Sequence, residues 1–529
     1  MRFDPVLVHD WLSRTAQRFP DKTALVCDGR RLSYAGIDQA STRLARSIVD
    51  KGLKKGDRVV VFMENRAEAV IGIYGILKAG GIFVVAEAVS TASSLKHVLR
   101  DSGARFVITH IDKAEIVEGS LSDGSLDIRV IWAGKPDPAS AFSSEGLEWE
   151  VLLREPDLEV ALPRIIDIDL AALIYTSGST GPPKGIMCTH HNMVSAARSI
   201  IQYIGNDEND VILVVLPLAF DYGLYQVLMA FMFGGTIVLE REMGFLEPMI
   251  RTIEKEGVTG FPVVPVISAV LLRMKRMPVE RFSSLRYMTS TGALWPAAHI
   301  RQFRKLLPNV TVFSMYGLTE CKRVGFLPPE LIDSYPESVG GAMPNCEALV
   351  VDEKGNPVRP GETGELVVRG SNVMQGYWND RETTERFFRA GRYPADRILH
   401  TGDWFRRGEE GLLYFEGRRD DLIKSSGRRV GPREVEDIIV SMPGIAEAAV
   451  IGVADEINGQ VPGAFVVTKE GAGLDESGIK AFCGRLLEPY KVPQYLWFID
   501  SLPRTPNGKV DKKSLKDQAS ASLGKRESS

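Results

Sequence analysis

Residues 170–185 constrain the chain most. An apolar run, Leu170-Ala-Ala-Leu-Ile174, is followed by Tyr175-Thr-Ser-Gly-Ser-Thr-Gly-Pro-Pro-Lys-Gly185. The run is strand-like, and a helical pattern begins at Asn192, so the segment reads as strand, Gly/Ser/Thr loop, helix. Such a loop offers backbone N–H groups, hydroxyls and one lysine to an anion. It is not a P-loop. That motif needs G-x-x-x-x-G-K-[ST], whereas Gly178 and Gly181 lead into Pro182-Pro183-Lys184-Gly185. P-loop kinases and ATPases are therefore excluded by their own motif.

Strand-like and helical stretches alternate through the first three-quarters of the chain. Strands are expected at Arg58–Phe62, Ile82–Val85, Arg105–Ile108, Val211–Leu216, Thr236–Leu239, Val258–Val264, Leu285–Thr289 and Val310–Phe313. Helices are expected between them, as at Ala67–Ala79 and Ser93–Arg100. This rhythm predicts an α/β fold: a large N-terminal domain of two mostly parallel sheets flanked by helices. Phosphate sites in such folds lie at the carboxyl ends of strands, where the Gly178 loop sits. From Cys346 the pattern changes. Leu349–Val351 and Glu365–Arg369, separated by a turn-rich segment, predict an antiparallel, barrel-like subdomain. After Gly417-Arg-Arg-Asp-Asp421 a small α+β domain is expected, with helices at Pro432–Ser441 and Glu476–Leu487 and strands at Ala448–Val453, Ala464–Val467 and Tyr495–Ile499. The reading is a domain over 1–419, a second over 420–515, and a disordered polar tail over 516–529.

The 529 residues exceed what one core needs, and 44% hydrophobic with 25% charged content is ordinary for a globular enzyme. A net charge of −4 gives no general attraction to nucleic acid or anionic membrane. Five scattered cysteines suggest neither a disulfide framework nor a zinc site. With no signal-peptide pattern and no membrane-span pattern, a cytoplasmic location is expected.

Five further strings carry polar residues at fixed order: Ser314-Met-Tyr-Gly-Leu-Thr-Glu320; Gly364-Glu-Leu-Val-Val-Arg-Gly370 with Gly376-Tyr-Trp378; His400-Thr-Gly-Asp403; Gly417-Arg-Arg-Asp-Asp-Leu-Ile-Lys-Ser-Ser-Gly427 with Pro432-Arg-Glu-Val-Glu436; and Pro503-Arg-Thr-Pro-Asn-Gly-Lys509. Singly, Glu320 reads as a helix-start carboxylate, Asp403 as a turn residue and Lys509 as a solvated loop lysine. Together with the Gly178 loop, and in this order over nearly the whole chain, the set resembles the AMP-forming adenylating superfamily. That superfamily comprises acyl-CoA and aryl-CoA ligases, peptide-synthetase adenylation domains and firefly-type luciferases. The pattern is closest to stand-alone bacterial acyl-CoA ligases.

The resemblance implies that a carboxylic acid and ATP give acyl-AMP and pyrophosphate, and that the acyl group then passes to CoA or to a carrier-protein phosphopantetheine. Two anions must meet, so positive charge and Mg²⁺ are needed. By the resemblance, Thr176, Ser177, Gly178, Ser179, Thr180, Gly181 and Lys184 hold the phosphates. Glu320 binds Mg²⁺, and Thr319 meets the α-phosphate. Tyr316, beside Gly317, stacks on adenine, Asp403 takes the ribose hydroxyls with support from Arg418, and Lys509 bridges acid and α-phosphate. Asp420 matches a hinge about which the small domain rotates. Lys424, Ser426 and Gly427 match the segment that then faces the thiol tunnel. No carrier-protein domain follows Lys509, so a carrier protein is expected as a separate chain.

The acid pocket is expected from Phe220, Asp221, Tyr225, Gly292, Ala293 and Arg323. Many acyl-CoA and aryl-CoA ligases carry histidine at the position of Asp221. Amino-acid-activating domains carry Phe-Asp there, with the aspartate on the substrate ammonium. Asp221 thus leaves an alternative open: amino-acid adenylation serving a separate peptidyl carrier protein. Against it, a buried carboxylate needs a partner. Arg323 or Lys322, just past Glu320, is expected to pair with Asp221.

Overall fold

The computed structural model describes residues 4–135, 146–154, 159–176, 183–241, 244, 246–274, 276–293, 295–393, 396–418, 421, 423–425, 428–455, 459–469, 471–505 and 509–527. The chain divides into two compact units. One comprises residues 1–336, 342–348 and 368–399, and the other 337–341, 349–367 and 400–529.

Two large sheets carry the α/β part. In one, the strands run side by side in the order Gly325–Phe326, Thr311–Tyr316, Tyr287–Ser290, Gly260–Val263, Val211–Val214, Thr236–Leu239, Thr23–Cys27 and Arg30–Ser33. The other has the order Leu147–Glu148, Arg129–Ala133, Ala104–His110, Arg58–Phe62, Ile82–Val85, Leu170–Thr176 and Lys184–Thr189. Pairings inside both sheets are parallel, as the alternating pattern predicts. Antiparallel pairs occur toward the edges. The central strands are buried on both faces, which is why Val59, Val60 and Val61 form an unbroken apolar run.

One edge corrects the sequence reading. The Gly/Ser/Thr loop does not enter a helix. Lys184–Thr189 returns as a strand antiparallel to Leu170–Thr176, and only then does the helix His190–Ile204 begin. The loop therefore connects two antiparallel strands rather than a strand and a helix. Ile186 and Cys188 are fully buried, so the returning segment is held as a strand by its inward side chains. The helix starts at a capping box, in which the Thr189 hydroxyl accepts from the Asn192 N–H and the Asn192 side chain accepts from Thr189.

Beyond Cys346, the strands Cys346–Val351 and Thr363–Gly370 fall where expected, in a five-stranded sheet. Among the described residues its pairings make an open, branched path rather than a closed ring.

The C-terminal α+β part is a sheet covered on both faces. Val450 and Val466 point to a core closed by the helices Pro432–Ser441 and Glu476–Gly484. Their neighbours Ala449, Ile451, Phe465 and Val467 point to a second core. The helix Lys512–Glu527 closes that second core. A frayed tail was expected from residue 516. Instead, Leu515, Ala519 and Leu523 recur every fourth residue and form an apolar stripe in contact with the sheet. Burying Leu515 completely stabilises this helix by roughly 1.5–3 kcal/mol. Among the described residues no helix is long and apolar enough to cross a membrane.

Candidate active site

The hairpin sets Thr176 directly opposite Lys184. Ser177, Gly178, Ser179, Thr180 and Gly181 lie outside the described residues. The Lys184 ammonium is 2.5 Å from Asp380 Oδ2 and 2.7 Å from Thr383 Oγ1. The hydrogen bond from Lys184 holds the Asp380 carboxyl down at about 2. Sequence reading missed Asp380. It lies 196 positions from Lys184 and carries no local motif of its own.

Strand Thr311–Tyr316 delivers the next group. After Tyr316 the chain turns through Gly317 and Thr319 to Glu320 and then folds back, so that Tyr316 pairs with Gly325. Glycine is required in this turn, because a Cβ on Gly317 would lie 2.3 Å from the Lys322 carbonyl oxygen and 2.9 Å from Arg323 Cα. Asn372 Nδ2 locks the turn by donating to the carbonyls of Cys321 and Arg323. Glu320 is thus on a turn rather than at a helix start. Its Oε1 accepts from Tyr377 Oη at 2.6 Å. No cluster of three His, Cys, Asp or Glu side chains that could hold a metal occurs among the described residues. A single half-buried carboxylate suits a hard cation that takes most of its ligands from phosphate and water oxygens.

The residues expected at the acid pocket come from three segments. Phe220 caps the helix Asp221–Phe233, and Asp221 is its first residue. Gly292, at φ +86°, faces the Phe220 ring: a Cβ there would lie 3.1 Å from the ring edge. Ala293, beside it, is exposed. The Tyr222 hydroxyl is 2.6 Å from Thr289 Oγ1, which ties the helix to the strand Tyr287–Ser290. The third segment is the turn after Glu320.

The partner of Asp221 is Lys322. Its Nζ lies 3.4 Å from Asp221 Oδ2 and donates to the Asp221 carbonyl at 2.8 Å. Lys322 is 3% exposed and adopts φ +63°, a left-handed conformation uncommon outside glycine. Burial pulls its ammonium down to about 7, against the opposing pull of Asp221. The Lys322 Nζ is also 4.4 Å from the centre of the Tyr225 ring. Among the described residues Lys322, and not Arg323, forms the ion pair with Asp221. The Arg323 guanidinium carbon lies 5.4 Å from the Tyr222 ring centre, and the residue is 1% exposed.

The second unit carries the remaining predicted residues. Asp403 and Arg418 are cross-strand neighbours, with Arg418 Nε 3.6 Å from Asp403 Oδ1. Asp403 is buried and Arg418 exposed. The Asp403 N–H donates to Thr401 Oγ1, whose own hydroxyl donates to the Leu366 carbonyl. This fixes Asp403 from behind. Lys424 sits on the strand Ile423–Ser425, while Asp420, Ser426 and Gly427 lie outside the described residues. Lys509 is tied to Thr505: the Thr505 N–H donates to the Lys509 carbonyl at 2.8 Å, and the Lys509 N–H donates to Thr505 Oγ1 at 3.3 Å. The Lys509 side chain is exposed.

A parallel-sheet frame, a lysine at the foot of a hairpin, a lone carboxylate on a turn and a buried Asp221–Lys322 pair are compatible with an enzyme that handles anionic substrates. Comparison with known proteins fixes the family. Residues 12–378 match the AMP-binding enzyme family, and residues 434–509 match the AMP-binding enzyme C-terminal domain. The chain belongs to this AMP-forming acyl-adenylate and acyl-CoA ligase superfamily. It is 31% identical to a long-chain-fatty-acid–CoA ligase of Escherichia coli, over 96% of this chain and 94% of that one. It is 33% identical to a 2-succinylbenzoate–CoA ligase of Geobacillus kaustophilus, over 96% and 97%. Among solved structures it resembles the o-succinylbenzoate CoA synthetase of Bacillus subtilis in complex with its acyl-adenylate intermediate. The TM-score is 0.82 at 29% identity, covering 96% of this chain and 97% of that chain. The activity is therefore ATP-dependent conversion of a carboxylic acid to acyl-AMP, followed by thioester formation with CoA.

Proposed function

We propose that this ligase activates a carboxylic acid lacking a free ammonium group. The observation that carries this reading is the buried Asp221–Lys322 ion pair. In an amino-acid-activating pocket the aspartate is kept for the substrate ammonium. Here a second cation beside Lys322 would meet repulsion in a low dielectric.

The chain's residues take these roles. Thr176, Ser177, Gly178, Ser179, Thr180, Gly181 and Lys184 hold the β- and γ-phosphates. Lys184 exchanges Asp380 for phosphate oxygens as the nucleotide enters. Tyr316 and Gly317 receive adenine, Asp403 accepts from the ribose hydroxyls, and Arg418 steadies Asp403. Thr319 donates to the α-phosphate, and Glu320, oriented by Tyr377, supplies one ligand to Mg²⁺. When bound, the ion offsets the charge of the departing pyrophosphate. Lys509 brings the substrate carboxylate to the α-phosphorus. A carboxylate oxygen bonds to phosphorus while the bond to pyrophosphate breaks. In the second step the thiol sulfur attacks the acyl carbonyl, AMP leaves with the bonding pair, and the thiol proton passes to solvent. Rotation about Asp420 exchanges Lys509 for the segment of Lys424, Ser426 and Gly427. CoA is the acceptor, with a separate carrier protein as the other thiol that the tunnel admits.

The test is pyrophosphate release with ATP and Mg²⁺ across fatty, aryl, dicarboxylic and amino acids. Release with acids that lack an amine is expected. Lys509→Ala should lower it by a factor on the order of 100 or more, and chelation of Mg²⁺ should abolish it. Activity confined to amino acids sinks the proposal.

A further inference from the structure

The ion pair that occupies Asp221 leaves a charge unanswered. Arg323 is 1% exposed; a hydrogen bond joins it to Tyr203, but its Nε and Nη1 have no hydrogen-bond partner among the described residues. A guanidinium does not shed its proton in proteins, so burial cannot neutralise it as it can Lys322. Stacking over Tyr222 at 5.4 Å is worth about 1–2 kcal/mol, less than the several kcal/mol that an uncompensated buried ion costs. While Lys322 is protonated and matches Asp221, the group of three carries one surplus positive charge.

Three hydroxyls on the adjoining segments are also buried without partners among the described residues: Tyr225 Oη, Ser290 Oγ and Thr291 Oγ1. They come from the helix Asp221–Phe233 and from the end of the strand Tyr287–Ser290. These segments are joined by the Tyr222–Thr289 hydrogen bond, and Arg323 lies against Tyr222. Donors with no acceptor therefore arise from all three segments that form the acid pocket. Buried polar groups left unpaired in this way are uncommon unless a ligand completes them.

We propose that the acid activated here carries a second carboxylate, which Arg323 receives. A carboxylate accepts a bidentate bond from a guanidinium and has further lone pairs for hydroxyl donors. An alkyl tail in the same place leaves the guanidinium N–H groups unpaired, and an ammonium is repelled by it. This inference rests on the acid-activation reading above and narrows its substrate class.

The experiment compares initial rates of pyrophosphate release for matched sets of acids. Each set holds an aliphatic or aryl dicarboxylic acid, its monoamide and its methyl-terminated monocarboxylic isostere. The expected kcat/KM order is dicarboxylic acid, then monoamide, then isostere, with the first exceeding the last by about 100-fold or more. Arg323→Met should shrink that ratio to about threefold, chiefly through KM. Arg323→Lys, which keeps the charge but loses the planar fork, should fall between. Wild-type rates that favour the monocarboxylic isosteres, or equal those for the diacids, overturn the inference while acid activation stands. So does a wild-type ratio that survives in Arg323→Met. The wild-type comparison decides without any variant, so misfolding of Arg323→Met shelters nothing. Absence of release with every acid brings down the acid-activation reading itself.

Discussion

At the scale of single residues, Lys322 makes catalysis and stability respond to pH in opposite directions. Its ammonium titrates near 7 in the folded protein, against an ordinary value of 10.5. Below 7 it is charged and neutralises Asp221. As pH rises through 7 it loses its proton, the group of Asp221, Lys322 and Arg323 loses its surplus positive charge, and an anionic acid is held less firmly. KM for the acid should therefore rise above neutral pH, and Lys322→Met should remove that rise. Stability follows the other sign. Between 7 and 10.5 the unfolded chain binds the proton and the folded chain does not, so unfolding becomes harder as pH increases. The slope is at most about 1.4 kcal/mol per pH unit. Denaturant melts at two pH values, for the wild type and Lys322→Met, read this directly. The Asp221–Lys322 pairing was one of two options open in the sequence. Spacing put both cations beside Glu320, but only the left-handed turn at Lys322 decides which of them reaches Asp221. Asp380 was not legible at all, because its meeting with Lys184 is made by the fold and not by neighbours in the chain. Gly317 illustrates the reverse case, a motif glycine whose reason is steric. Gly317→Ala should force the Lys322 carbonyl aside, cost roughly 1–3 kcal/mol in stability and raise KM for the acid.

At the scale of elements, helices and strands long enough to show their period were legible to within a few residues. Arg58–Phe62, Thr236–Leu239 and Pro432–Ser441 fall where periodicity put them. The Lys184–Thr189 strand was not seen, because six residues after a Gly/Pro loop leave little alternation to read. The helix Lys512–Glu527 was hidden by its polar composition, although Leu515, Ala519 and Leu523 share one face. A buried contact between the helices Val8–Arg18 and His190–Ile204 was likewise invisible in sequence. The Val8 N–H donates to His190 Nδ1 at 3.1 Å, and the rings of His9 and His190 meet edge to face at 5.5 Å. Burial holds His9 down at about 3 and His190 at about 4, against 6.5 for exposed imidazole. Their stabilising effect is complete above 6.5 and is lost as pH falls toward 4, because the unfolded chain binds protons there and the folded chain does not. Thermal unfolding should weaken from pH 7 to pH 5. His190→Ala should cost about 1–3 kcal/mol at pH 7 and reduce that acid dependence.

At the scale of the whole molecule, the sequence yields the order of motifs but not which chain segments pack together. The second compact unit draws residues 337–341 and 349–367 from the middle of the chain in addition to 400–529. A change of pattern near Cys346 is visible, but nothing local says that 337–341 and 349–367 pack with 400–529, since packing partners distant in sequence share no local signal. The proposed hinge is a different kind of boundary, one set by backbone rotation rather than by contact density, and Asp420 lies between the two family matches that end at 378 and begin at 434. The two half-reactions give a means to test it. In the proposed mechanism adenylation uses Lys509 at the acid, whereas thioester formation uses the segment of Lys424 in its place. Proline fixes φ near −65° and so blocks a hinge that works by changing its dihedrals. Asp420→Pro should therefore keep ATP–pyrophosphate exchange within about threefold of wild type while slowing thioester formation by a factor on the order of 10 to 100. Exchange and CoA consumption measured on one preparation separate these outcomes. Equal loss of both would mean that the substitution disturbs folding or nucleotide binding. Loss of neither would move the pivot away from Asp420.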